Sequence, residues 1–200
     1  MKDWIGNSKS GYITNGISRN KNNEREKHDF YATDPYSVNL FLERIKKDNI
    51  ILPKIIHEPA CGQGHISEEL KRHGYNVVSS DLYDYGYGEA GIDFLKSEDK
   101  ADCFLTNPPY KFALEFVNKS IENLNPHGIS IMYLKIQFLE GKARNLFFKK
   151  YPPKYVYVNS SRQICAKNGN FENFNSKLLC YAWYMWYKDF YGDTVVRWID

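Results

Sequence analysis

Apolar positions along the chain follow two rhythms that alternate. Val38, Phe41, Leu42 and Ile45 repeat at helical spacing behind Asp34-Pro35, an acid suited to an N-cap followed by proline at the first helical position. Pro53 closes that unit. Lys54 to Glu58 predicts a short apolar strand, Pro59 to Gly64 a turn, and Ile66 and Leu70 a helix stopped by Gly74. Tyr75 to Ser80 is a second strand, ending at Asp81, and Asp102 to Thr106 is another, cut off by Asn107-Pro108-Pro109-Tyr110. Ala113, Phe116, Val117 and Ile121 outline a helical face, Gly128 to Leu134 a strand, residues 140–150 a helix and Tyr155 to Val158 a strand. Leu178 to Tyr187 and Thr194 to Ile199 close the chain as strands. Residues 1–28, rich in Asn, Ser, Lys and Gly, carry no period and predict a polar arm ahead of a single domain over 29–200.

Strands alternating with helices predict a doubly wound, mostly parallel α/β sheet, with the last strands adding an antiparallel C-terminal edge. Two hundred residues suffice for one such core. Aromatic content is 16%, with sixteen Tyr. Most should fill the core, and the rest are available to stack bases. A net charge of +3 does not by itself mark a nucleic-acid binder, so its distribution matters more. Lys135 to Lys154 holds six Lys/Arg against one Glu, with Lys142, Arg144, Lys149 and Lys150 in or beside the helix over 140–150. Two basic segments, this one and the stretch before Phe30, hint at a polyanion. Cys61, Cys103, Cys165 and Cys180 form no CxxC pair or zinc-spaced cluster. With no apolar leader and no apolar run of membrane-spanning length, a reducing cytoplasm is the expected location and no membrane is expected as partner.

The first chemical signal is the strand ending at Glu58 that runs into Pro59-Ala60-Cys61-Gly62-Gln63-Gly64 and then a helix. In doubly wound sheets, ligands bind at the carboxyl ends of strands beside the switch in strand order. Glycines there let the backbone turn tightly and approach a ligand. Asp81, nineteen residues after Gly62, ends the next strand at a spacing that suits a carboxylate on ribose hydroxyls. A nucleoside-type cofactor follows. The third glycine of the dinucleotide fingerprint is replaced by Ser67, which weakens an NAD reading without excluding it. Asp93 is a candidate partner for an adenine amino group.

The second signal is Asn107-Pro108-Pro109-Tyr110 directly after a strand. Two prolines lock φ and remove two N–H donors, so carbonyls are left as acceptors. Asn107 adds a side-chain carbonyl and Tyr110 an aromatic face. An exocyclic amine conjugated to a ring is a poor nucleophile because its lone pair is delocalised. Acceptors on its two hydrogens draw the nitrogen toward tetrahedral geometry, which is preorganised electrostatic catalysis. The ring can hold a flat base by stacking.

Glu58-Pro59-Ala60-Cys61-Gly62-Gln63-Gly64 resembles the S-adenosylmethionine (AdoMet) motif of class I methyltransferases, and Asn107-Pro108-Pro109-Tyr110 resembles the catalytic motif of amino-methyltransferases. Phe30-Tyr31-Ala32-Thr33-Asp34-Pro35 resembles the additional AdoMet motif of DNA amino-methyltransferases, and the chain from 24 to 199 is similar to small phage or prophage enzymes of that family. The resemblance implies a Rossmann-like class I sheet. It implies AdoMet, leaving as S-adenosylhomocysteine, among Tyr31, Thr33, Glu58, Pro59, Ala60, Gly62, Gly64, Asp81, Leu82, Asp93 and Phe94. It implies a target amine held by Asn107, Pro108, Pro109 and Tyr110. Many DNA enzymes carry Asp where Asn107 stands.

The expected reaction is methyl transfer to an exocyclic amine, foremost N6 of adenine in DNA, with no metal because the sulfonium is already activated. The alternatives are RNA adenine, a protein glutamine amide, or an idle AdoMet- or NAD-binding module. Adenine N6 and cytosine N4 are not separable by sequence, nor are monomer and homodimer. Only 43 residues separate Gly64 from Asn107, so no recognition domain is inserted there, and none is expected after the last strand. Base reading is left to the N-terminal arm and to Ser160–Ser176, which carries Arg162, Gln163, Lys167, Asn168, Asn170 and Asn173. With Lys142, Arg144, Lys149 and Lys150, Arg162 and Lys167 complete the expected nucleic-acid contacts. A short or degenerate target sequence follows.

Overall fold

A computed structural model describes residues 31–161, 165–167 and 180–200. The N-terminal arm, Arg162 and most of the stretch expected to read bases lie outside the described residues. The elements in order are β1 (Tyr31–Thr33), α1 (Pro35–Lys47), β2 (Ile55–Glu58), α2 (His65–Arg72), β3 (Asn76–Asp81), β4 (Glu89–Ala90) and β5 (Ala101–Thr106). A 3-10 turn (Tyr110–Phe112) leads into α3 (Ala113–Asn123) and β6 (Leu124–Lys135). A second 3-10 turn (Ile136–Leu139) leads into α4 (Lys142–Lys150), β7 (Tyr155–Asn159), β8 (Cys165–Lys167), β9 (Tyr181–Tyr187) and β10 (Val195–Ile199).

Eight strands make one sheet in the order β10-β7-β9-β6-β5-β2-β3-β4. β2 pairs in parallel with both β3 and β5, and β5 in parallel with β6. The chain therefore winds outward from β2 in one direction and from β5 in the other, which is the doubly wound arrangement. The expected antiparallel C-terminal strand is present, but its place differs. β9 lies inside the sheet, antiparallel to both β6 and β7, while β10 forms the edge, parallel to β7. β9 reads Tyr181-Ala182-Trp183-Tyr184-Met185-Trp186-Tyr187 and is buried on both faces, as a central strand requires. A separate two-stranded ladder joins β1 to β8. Neither strand shows in the hydrophobic pattern.

The helices cover both faces. α1 begins as expected: Asp34 accepts a hydrogen bond from the Tyr36 amide at 2.9 Å, and Pro35 fills the first turn. Its Val38, Phe41, Leu42 and Ile45 pack with Ile66 and Leu70 of α2 against Ile56, Tyr133, Trp183 and Met185. On the opposite face Val117 and Ile121 of α3 and Phe147 of α4 meet Met132, Tyr184 and Trp186. Trp183 stacks on Phe41 at 4.6 Å and lies 4.5 Å from Tyr133. Among the described residues, Tyr133, Tyr157, Tyr181, Trp183, Tyr184 and Trp186 are thus core, while Tyr191 and Trp198 are exposed.

Candidate functional site

The carboxyl ends of β2, β3 and β5 open into a cleft of about 560 Å³. Its wall includes Tyr31, Thr33, Glu58, Pro59, Ala60, Asp81, Leu82, Asp93, Phe94 and Asn107 through Tyr110. Of the fifteen positions singled out for cofactor and amine, Gly62 and Gly64 are the two outside that wall. They shape the turn behind it. Gly62 and Gly64 take φ of +51° and +81°, a left-handed backbone that favours glycine. The Gly62 amide donates to Asp81 Oδ2 at 2.9 Å, and the Cys61 amide donates to the Ser80 carbonyl at 3.0 Å. The turn after β2 is thereby stitched to the end of β3.

Asp81 also accepts from the Tyr83 amide at 3.0 Å through Oδ1. Two amides hold its carboxylate in one orientation at the cleft floor. Glu58 is 1% exposed and accepts the Ser67 hydroxyl, which in turn lies 2.6 Å from Ser79 Oγ. Burial pushes the Glu58 carboxyl up to about 8, with Ser67 pulling in the opposite direction. Serine in place of the third glycine therefore has a role, as the partner of this buried acid. Burial likewise pushes the Cys61 thiol up to about 12, with Glu58 and Asp81 adding to it. Asp93 accepts the Leu95 amide at 3.1 Å and pairs with Lys96 at 2.9 Å. Phe94 is buried against Phe104 and Phe116, both at 5.3 Å.

Across the cleft, Asn107 follows the end of β5. Its Nδ2 donates to the Tyr31 carbonyl and to Thr33 Oγ1, each at 3.0 Å. A carbonyl oxygen can only accept, so the amide nitrogen must face β1 and Oδ1 must face away. Oδ1 is buried and has no hydrogen-bond partner. Thr33, expected beside the cofactor, thus also holds the amide of Asn107. The Pro109 carbonyl accepts from the Phe112 amide at 2.9 Å and closes the turn. The Tyr110 ring stacks on Tyr31 at 5.4 Å, its hydroxyl donates to that of Tyr181 at 3.1 Å, and the Lys135 ammonium lies 4.4 Å from its centroid.

Sequence reasoning missed part of the wall. His65 starts α2 and lines the cleft, and burial lowers its pKa. Tyr83 and Tyr85, 6.4 Å apart, line it beside Asp81. Their position just after a strand end that carries the acid was the available signal. Lys111 also faces the cleft.

The basic helix divides. Lys142, Lys149 and Lys150 are exposed on α4. Arg144 is turned onto the protein: Nε donates to the Glu140 carbonyl, Nη2 to the Gln137 carbonyl at 3.1 Å, and the guanidinium lies 5.2 Å from the Phe138 ring centroid. Lys167 is placed by its backbone alone, opposite Tyr31 in the β1–β8 ladder. Among the described residues no helix is long and apolar enough to cross a membrane.

No family model and no curated protein matches the chain. Solved structures do match its fold. A type I restriction-modification methyltransferase subunit from Streptococcus thermophilus aligns with a TM-score of 0.61 at 14% identity, over 85% of this chain and 47% of that one. A structure from Listeria monocytogenes assigned as a class I AdoMet-dependent methyltransferase aligns with a TM-score of 0.60 at 14% identity, over 94% and 70%. One from Pyrococcus horikoshii assigned as an RNA methyltransferase aligns with a TM-score of 0.58 at 15% identity, over 92% and 99%. At such identities the likeness is one of fold, the Rossmann-like sheet these methyltransferases share.

Proposed function

We propose that the protein is an AdoMet-dependent methyltransferase acting on an exocyclic amine, with N6 of adenine in DNA as its target. One observation carries the reading. The Asn107 amide is locked by two acceptors on its nitrogen, so a buried, unpartnered carbonyl oxygen stands in the same cleft as a glycine turn and a strand-end acid. A nucleoside-binding module has no need of such an acceptor.

The residues present fit the cofactor. Asp81 is oriented to accept ribose hydroxyls, and Leu82 and Phe94 offer apolar surface to a purine ring, with Asp93 at hand for its amino group. Pro59, Ala60 and Cys61, at the start of the glycine turn, line the cleft for the rest of the molecule. AdoMet, when bound, supplies a methyl group already activated on a sulfonium. Asn107 Oδ1 and the Pro108 carbonyl take the two amine hydrogens and localise the nitrogen lone pair. Tyr110 holds the flat base, which leaves the duplex to reach it. Asn107 has no useful proton affinity, so it acts as an acceptor and solvent removes the proton. Lys142, Lys149 and Lys150 face the nucleic-acid backbone in this reading, and Arg162 and Lys167 serve base edges. Residues 29–200 work as one catalytic unit, as monomer or homodimer.

The test is incubation with methyl-labelled AdoMet and separate DNA, RNA and protein acceptors. Label should enter DNA. Label in RNA or protein alone would overturn the substrate, and label in none would overturn the activity. Asn107→Ala should lower single-turnover transfer by about a hundredfold or more with AdoMet affinity unchanged. A variant as fast as the parent would remove Asn107 from the mechanism.

A further inference from the structure

Strand β1 holds the catalytic amide, and something must hold β1. It is three residues long and stands outside the main sheet. Its partner is β8, which the chain supplies from between β7 and β9. The ladder runs antiparallel, with Tyr31 opposite Lys167, Ala32 opposite Ala166 and Thr33 opposite Cys165. Two of those three β1 residues are the ones that grip Asn107, through the Tyr31 carbonyl and the Thr33 hydroxyl.

We propose that the β1–β8 ladder positions the catalytic amide, so that β8 governs methyl transfer through it. Thr33 is a positioning residue in this scheme. The proposal rests on Asn107 as the amine acceptor. An amide side chain is roughly two-fold about its last torsion, so its rotation is cheap unless hydrogen bonds choose one face. With β1 in place, Oδ1 faces the target. Should β1 slip by one residue, its side chains and carbonyls change sides and both grips are lost. Asn107 is then free to turn its NH2 group toward the substrate, a donor facing a donor. β8 also carries Lys167, a proposed nucleic-acid contact, opposite Tyr31. Grip on the substrate and orientation of the amide therefore share one short ladder, and a bound target that steadies β8 also steadies Asn107.

The test uses Thr33→Val, Thr33→Ser, and proline placed singly at 166 or 167. Along an antiparallel pair, successive N–H groups point alternately toward and away from the partner. Only one of the two prolines removes a ladder donor, and the other is its control for general strain. Three quantities are read: single-turnover transfer, AdoMet affinity by calorimetry, and the side-chain amide resonance of Asn107. That resonance is measured in protein labelled at Asn and assigned by its loss in Asn107→Ala. Thr33→Val and the ladder-breaking proline should each slow transfer by about tenfold to a hundredfold. Both should shift the Asn107 resonance, and the ladder-breaking proline should leave AdoMet affinity within about twofold. The control proline should behave as the parent, and Thr33→Ser, which keeps the hydroxyl, should recover transfer and the Asn107 resonance relative to Thr33→Val. Because both changes act through one amide, Thr33→Val combined with the ladder-breaking proline should be no slower than the slower single variant. Both prolines leaving rate and resonance unchanged would overturn the proposal, as would equal damage from the two. If the parent methylates no acceptor, the functional reading falls, and the resonance shifts still decide whether the ladder sets Asn107.

Discussion

The ammonium of Lys135 stands 4.4 Å from the centroid of the Tyr110 ring. Lys135 ends β6, and Tyr110 opens the turn after β5, its neighbour in the sheet. Tyr31 stacks on the same ring. The ring proposed to hold the target base is thus already in contact with a cation and with another aromatic. A base that stacks on Tyr110 displaces one of them. The lysine, on a flexible stem and worth about 0.5–2 kcal/mol over a half-buried ring, is the one that yields.

The first prediction follows from that contact. A displaced Lys135 has an adjacent phosphate or base edge as its natural partner. Lys135→Met keeps the stem and removes the charge. It should raise KM for DNA several-fold and reduce the salt slope of binding by about one. AdoMet affinity should not change. Measurement of KM across a series of salt concentrations checks this, and an unaltered slope would place Lys135 away from the nucleic acid.

Glu58 gives a pH dependence with a definite sign. Its carboxyl, raised from 4.5 to about 8 by burial, holds a proton in the folded protein over a range where the unfolded chain has lost it. The stability it contributes is full below about pH 4.5 and is lost as pH rises toward 8. Relative to Glu58→Gln, the parent should therefore melt progressively lower between pH 5 and 8. AdoMet carries a net positive charge, so its binding favours the carboxylate. Affinity should rise with pH through the same window and binding should release a proton. Calorimetry in two buffers of different ionisation enthalpy measures that release. A Glu58→Gln protein with the parent's pH profile would take the acid out of the linkage.

The basic helix α4 yields a contrast between neighbours. Arg144 caps the Gln137 and Glu140 carbonyls from inside, whereas Lys149 and Lys150 are exposed. Arg144→Ala should cost about 1–2 kcal/mol in stability, since two carbonyls lose a charged donor. The double change Lys149→Ala with Lys150→Ala should leave stability within about 0.5 kcal/mol. It should instead flatten the salt dependence of DNA binding. Urea unfolding and salt titration of both variants separate the cases. Equal salt effects in the two would restore Arg144 to the DNA-facing set.

The parts of the site legible in the sequence are those carried by one continuous stretch. The apolar run to Glu58 followed by two glycines marks a strand and turn by itself, and so does a strand halted by two prolines. The Asp34 cap and the α1 face needed no more than thirteen residues of pattern. What escaped depends on partners far apart in the chain. β1 and β8 are too short to show alternation, and each exists as a strand only because the other is beside it. Which atom of Asn107 faces β1 is decided by the Tyr31 carbonyl, 76 residues away. The place of β9 was hidden for a different reason: both of its faces are buried, so its run of aromatics has no polar phase that would set it at an edge or inside the sheet.

The last prediction concerns Gly64, where two independent constraints meet. Its φ is +81°, and a Cβ built there would lie 2.5 Å from three atoms of the Tyr87 ring. Tyr87 is not free to retreat. Its hydroxyl donates to Glu68 Oε1 at 2.6 Å and accepts from Lys71 Nζ at 2.7 Å, which fixes the ring over the turn. Gly64→Ala therefore carries about 1–2 kcal/mol for a left-handed alanine. Overpacking against the ring adds about 1–3 kcal/mol. Tyr87→Ala alone should cost little, as the ring is partly exposed. In the Gly64→Ala background, however, Tyr87→Ala should recover the overpacking part and leave only the backbone part. The two changes should thus be strongly non-additive in urea unfolding, with the double variant more stable than Gly64→Ala alone. AdoMet affinity would report separately on whether the turn has regained its shape. If removing the Tyr87 ring brings no relief, the contact is not what confines position 64, and backbone conformation alone accounts for its glycine.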